Sequence, residues 1–148
     1  MSEATPAPAI TVAQFEELLR QTIPMANDHP YSCVSLAWGE AIVRVEYVPS
    51  MVRAGGTLSG PTMMTLADTA LYAAVLSQIG LEPLAVTADL SFHFLRKPEP
   101  KALVARARIL KRGRKLAFGT IEIASEGSRR DALDGTLVAH ASGTYAIP

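Results

Sequence analysis

Asp68 is the residue of this 148-residue chain whose type and place most demand a chemical explanation. It sits in a run otherwise made of Met63, Met64, Leu66, Ala67, Ala70, Leu71, Ala74 and Val75, where an unpaired carboxylate would cost several kcal/mol. In a structural role it would face solvent or share hydrogen bonds with Thr65 or Thr69. In a chemical role it would be a general base or a nucleophile, partly desolvated in a cleft.

A second feature is hidden by neutrality. Fourteen basic residues balance fourteen acidic ones, yet nine of the basic ones fall between Arg96 and Lys115, with Glu99 the only acid among them. Arg106 and Arg108 share one strand face, and the turn Lys111 to Lys115 adds Arg112 and Arg114, an arrangement suited to phosphate groups. The same cations would also serve a solvated strand edge that resists aggregation. Nucleic acid fits less well, because no aromatics interleave the stripe and the chain as a whole is not basic.

Other motifs fail on their chemistry. Gly55 and Gly60 have the gap of a phosphate-binding loop, but Pro61-Thr62 stands where the gripping lysine is required. Ser59 lacks the glycine two positions earlier that a nucleophile elbow needs, so capping a helix is its simpler role. His29, His93 and His140 lie far apart, and Cys33 sits in a strand pattern, so no metal site is expected. A single cysteine also allows no internal disulfide, which points to a reducing, cytoplasmic setting.

These residues must be held by a fold, and the chain is long enough for one domain with a sizeable core. Residues 1–10, with two prolines, are expected as a flexible tail and residues 11–148 as the domain. Thr11 and Gln14 form a capping box before a short amphipathic helix that ends before Pro24. Cys33 to Trp38 and Ala41 to Val48 read as a hairpin turning at Gly39-Glu40. Ser59, Pro61 and Gly80 then punctuate a long helix that is apolar nearly all round, which must therefore be wrapped by a sheet or a second subunit. Asp68 and Gln78 within it argue against a membrane span. Four strands follow, over Ala85–Leu95, Ala102–Lys111, Lys115–Ser125 and Thr136–Ile147. In the first, Val86, Ala88, Leu90, Phe92 and Phe94 are expected on the core face, opposite Thr87, Asp89, Ser91 and His93. The order predicts an α+β antiparallel plan.

The runs GGTLSGPTMMTLADTALYAAVL (Gly55 to Leu76), AVTADLSFHFLRKP (Ala85 to Pro98), KRGRKLAFGTIEI (Lys111 to Ile123) and LVAHASGTYAI (Leu137 to Ile147) resemble the hotdog-fold acyl-CoA thioesterases, specifically the PaaI-like group. The resemblance spans from about Cys33 to the end. It implies a hotdog fold, in which a curved antiparallel sheet wraps the long helix. It also implies hydrolysis of an acyl-CoA thioester without a metal or other cofactor, coenzyme A being part of the substrate.

By that resemblance Asp68 is the catalytic carboxylate, as base or as nucleophile, and the Gly60 N–H polarises the thioester carbonyl from a helix N-terminus. Thr87 falls where many members place a hydroxyl facing the carboxylate. Arg53, Ser59 and Thr65 are expected along the substrate, and the basic turn puts Arg112 and Arg114, with Arg96, on the phosphates of CoA. Ser59 replaces the family's histidine, Pro61 its second glycine, and Arg53 a common asparagine. The resemblance further implies a homodimer, or a tetramer of two dimers, with Gly60 and Asp68 of one site drawn from opposite subunits. A non-catalytic acyl-CoA binding protein is the alternative.

Overall fold

The computed structural model describes residues 3–28 and 30–148, so His29 lies outside the described residues. Helix α1 spans Val12–Thr22 and opens on the expected box: the Gln14 N–H donates to Thr11 Oγ1 at 3.1 Å, and the Thr11 N–H donates to Gln14 Oε1 at 2.9 Å. Phe15 and Leu19 are its buried face. A 3-10 turn at Pro24–Asp28 follows, because proline cannot continue the helix. The preceding segment is docked at its end, where the Ala9 N–H donates to the Ser77 carbonyl and Ile10 is buried.

Strands β1 (Tyr31–Ala37) and β2 (Glu40–Val45) form the hairpin, turning at Gly39, whose φ of 73° suits glycine. Helix α2 runs Gly60–Ile79. Ser59 Oγ accepts the Thr62 N–H at its start, and Gly80 at φ 89° ends it. Strands β3 (Val86–Phe94), β4 (Leu103–Arg112), β5 (Leu116–Ser125) and β6 (Leu137–Ala146) complete one six-stranded antiparallel sheet in the order β1-β2-β4-β5-β6-β3. This is the hotdog arrangement, with α2 buried along most of its length in the concave side of the sheet. Among the described residues no helix is long and apolar enough to cross a membrane.

Two glycines set how closely the helix sits. Gly119 and Gly143 are cross-strand partners, and a Cβ on either would come within 3.0 Å of a Leu71 methyl. Their bare backbone lets α2 press onto β5 and β6 one turn after Asp68, which brings that carboxylate down to the sheet.

Strand β3 departs from strict alternation. It is an edge strand, and Val86 and Phe94 are more than half exposed rather than in the core. A bulge between Thr87 and Asp89 shifts the register against β6. Thr87 consequently faces the helix together with Leu90, three residues on, instead of opposite it.

Candidate active site

Asp68 lies half-buried two turns inside α2. Its partners are neither Thr65 nor Thr69, whose hydroxyls donate to the Pro61 and Thr65 carbonyls of the helix itself. Instead Thr87 Oγ1 donates to Asp68 Oδ1 at 2.6 Å, and the Tyr145 hydroxyl donates to the same oxygen at 2.9 Å. Two neutral donors from different strands thus orient the carboxylate, leaving Oδ2 without a hydrogen bond among the described residues. No cation pairs with it among those residues either. A carboxylate held this way is fixed in orientation with one oxygen open to a water or an electrophile.

Tyr145 is a site residue that the sequence reading missed. Burial first, then the neighbouring Asp68 charge, pushes its phenol well above the usual range, so it stays a donor. Its ring stacks on Tyr72 at a centroid distance of 5.5 Å, and Tyr72 meets Phe15 of α1 edge-on. The signal lay in β6, whose inward positions Ala139, Ala141, Gly143 and Tyr145 end in one large polar-tipped ring. Such a ring needs a partner for its hydroxyl when buried.

Gly60 is the first residue of α2, so its N–H has no acceptor inside the helix. The Phe94 ring lies where a Cβ would come within 3.3 Å, which favours glycine there. The loop before it is a small hairpin. Arg53 N–H donates to the Thr57 carbonyl, and Gly55 and Gly56 turn the tip with φ of 92° and 76°. Together these segments and Leu95 to Pro98 enclose a cavity of about 600 Å³. Arg53, Arg96 and Lys97 line it and no acid does, so its field is positive at a helix N-terminus. Ser59 spends its hydroxyl on Thr62, at 2.9 Å from Thr62 Oγ1, which is its capping role.

Asp68 does not open onto that cavity. It lies eight residues further along α2, about 12 Å along the axis, and lines a separate cavity of about 90 Å³ against α1 and the Pro24–Asp28 turn. Thr65 borders this smaller cavity too. The chain therefore brings together Asp68, Thr87 and Thr65 in one place, and Gly60, Arg53 and Arg96 in another.

The basic stripe is divided as well. Arg106 pairs with Glu122 at 3.0 Å and Arg108 with Glu40 at 3.6 Å, cross-strand neighbours that sequence distance concealed. Arg112 and Arg114 are exposed at the β4–β5 turn and make no ion pair among the described residues. That turn sits by the start of β3, since Leu116 and Val86 both pair with Ala146. Arg96 follows the end of β3, roughly 25 Å away at the usual strand rise. Among the described residues no group of three His, Cys, Asp or Glu side chains is placed to hold a metal ion.

The sequence profile of the thioesterase superfamily matches residues 55–132. Among solved structures, a protein of Silicibacter sp. TM1040 solved as a candidate thioesterase is 39% identical, covers 95% of this chain and 94% of its own, and has a TM-score of 0.81. A mutant of the phenylacetic acid degradation protein PaaI from Thermus thermophilus is 26% identical over 84% of this chain and 99% of its own, with a TM-score of 0.71. The PaaI protein from the E. coli phenylacetic acid degradation operon shares the fold at 24% identity, covering 93% of each chain with a TM-score of 0.76. No curated protein matches this sequence.

Proposed function

We propose, because this chain belongs to the thioesterase superfamily and to its PaaI-like hotdog group, that it hydrolyses an acyl-CoA thioester to the free acid and CoA. The observation that carries this reading is the Asp68 carboxylate, oriented by Thr87 and Tyr145 with its second oxygen unspent. Acting as base, it takes a proton from water as the water oxygen adds to the carbonyl carbon. Acting as nucleophile, it adds directly and gives a mixed anhydride that water then opens. Either way the C–S bond breaks and the sulfur leaves as the CoA thiolate. The Gly60 N–H, reinforced by the positive end of α2, receives the charge that develops on the carbonyl oxygen.

The site needs two subunits. Asp68 and Thr87 lie by the start of β3, and Gly60 meets Phe94 at its end. β3 is a sheet edge with exposed apolar side chains, Val86 and Phe94, and unpaired backbone groups of the kind that recruit another strand. A two-fold axis through the middle of this strand sets the start of one β3 beside the end of the other. Asp68 then faces the cavity of the other copy's Gly60. The same operation carries Arg112 and Arg114 toward the other copy's Arg96, so the three cations gather where the nucleotide phosphates of CoA would lie.

The reading is tested by thiol release from a panel of acyl-CoA esters followed with a thiol-specific chromophore. Turnover of at least one ester at roughly 1 s⁻¹ or faster is expected. Binding of the esters without release would instead favour a non-catalytic acyl-CoA binder, an outcome to which the capping role of Ser59, in the histidine's place, gives some weight.

A further inference from the structure

The small cavity beside Asp68 is the part of the molecule whose chemistry is least explained by a carboxylate and an oxyanion donor alone. Leu19 of α1, Ile23 just after its end and Met25 of the following turn line it together with Tyr31, Tyr72 and Tyr145. The polar atoms along it are spoken for. The Thr65 and Thr69 hydroxyls donate to helix carbonyls, the Tyr72 hydroxyl donates to the Glu82 carbonyl at 3.2 Å, Tyr145 donates to Asp68, and Tyr31 is hydrogen-bonded to Thr65. What remains is a mostly apolar lining with one carboxylate in it, a poor site for water and a good one for a hydrocarbon tail whose reacting carbon lies at Asp68.

We propose that this cavity is the acyl pocket and that α1 and the Pro24–Asp28 turn restrict the enzyme to short acyl groups of about four carbons. The assignment rests on Asp68 acting on the thioester carbonyl, as argued above. Polarity divides the substrate between the two cavities: the larger carries Arg53, Arg96 and Lys97 and suits the anionic carrier, while the smaller offers no cation and suits the tail. Size then sets the limit. An apolar cavity of about 150 Å³ admits one benzene ring, so the 90 Å³ here holds about three or four carbon-sized groups beyond the carbonyl. An unaltered pocket is too small for octanoyl or phenylacetyl.

The test is kcat/KM for acetyl-, butyryl-, hexanoyl-, octanoyl- and phenylacetyl-CoA with the wild-type protein and two variants. Each buried methylene should raise wild-type kcat/KM about three- to fourfold from acetyl to butyryl. Octanoyl and phenylacetyl should then fall at least about tenfold below butyryl as the tail overfills the pocket. Met25 lines this cavity and is 58% exposed, so Met25→Ala should fold normally and, by enlarging the cavity, move the optimum to hexanoyl or longer. Ala26→Leu adds carbon inside the same cavity and should move the optimum toward acetyl. Turnover that is flat with chain length, or highest for octanoyl, in the wild type and unmoved by either variant overturns the pocket assignment while leaving hydrolysis standing. No turnover of any ester overturns both.

Discussion

The Tyr145 hydroxyl donates to Oδ1 of Asp68 at 2.9 Å across 77 residues of chain, and this bond ties the last strand to the middle of the long helix. With Thr87 on the same oxygen, it fixes which carboxylate oxygen is left for chemistry. Tyr145 is a positioning residue in this account. Tyr145→Phe keeps the ring stacked on Tyr72 and deletes one donor, so kcat should fall about tenfold, on the magnitude of a hydrogen bond to a charged group. KM should stay within about twofold, because ground-state binding does not use this bond. A rise in KM with kcat intact would mark the hydroxyl as structural only.

The proposed sharing of the site across β3 makes a quantitative demand on mixtures. Asp68→Asn and Gly60→Pro should each be inactive alone, the second because proline has no N–H at the helix start. Co-refolded in equal amounts, half the dimers carry one intact site of two, so activity should return to about a quarter of wild type. No recovery, with mixed dimers demonstrated by mass spectrometry, would place both groups in one subunit.

Arg112 and Arg114 stand exposed at a hairpin tip and grip no acid of the described residues. Replacing both with alanine should raise KM for acyl-CoA roughly ten- to a hundredfold, on a contribution of about 1 kcal/mol or more for each phosphate contact. kcat should hold, since these groups bind ground and transition states alike. An N-acetylcysteamine thioester, which lacks the nucleotide, should not register the change. Equal losses on both substrates would assign the arginines to structure instead.

Arg44 is a buried charge in β2 whose guanidinium is held by Glu126 at 2.6 Å and by Glu46 at 2.6 Å. Its hydrogen bond holds the Glu126 carboxyl below the ordinary value of 4.5. The ionised pair therefore stabilises the fold above pH 4.5, and that contribution is lost as pH falls through the lowered folded value. Glu126→Gln should cost about 1–3 kcal/mol at pH 7. Denaturant melts of the variant between pH 7 and pH 3 should show a shallower loss of stability than wild type; a parallel loss would clear this pair of the role.

Much of this was legible in the residues, and the rest was hidden for identifiable reasons. The helix ends announced themselves through Ser59, Pro61 and Gly80, and Asp68 stood out because a carboxylate is costly among Met63, Leu66 and Leu71. What the sequence concealed was cross-strand register. Arg106 and Arg108 read as free cations because Glu122 and Glu40, which neutralise them, are distant in the chain and adjacent only across strands. Thr87 read as facing away from Leu90 because a bulge leaves no mark on hydropathy. Tyr145 went unnoticed because only the closeness of α2 to Gly143, set by a missing side chain, puts its hydroxyl on Asp68.

The central claim is that Asp68 does the chemistry, and Asp68→Asn tests it most directly. Asparagine keeps the shape and still accepts from Thr87 and Tyr145 through its amide oxygen, but it neither takes a proton nor attacks a carbonyl. The measurement is single-turnover thiol release from the best acyl-CoA substrate, with folding checked by a thermal melt and ester binding by calorimetry. A drop of at least about a hundredfold in rate, with the melt and the binding retained, is the result the account requires. Release at the wild-type rate by a folded Asp68→Asn protein would contradict it.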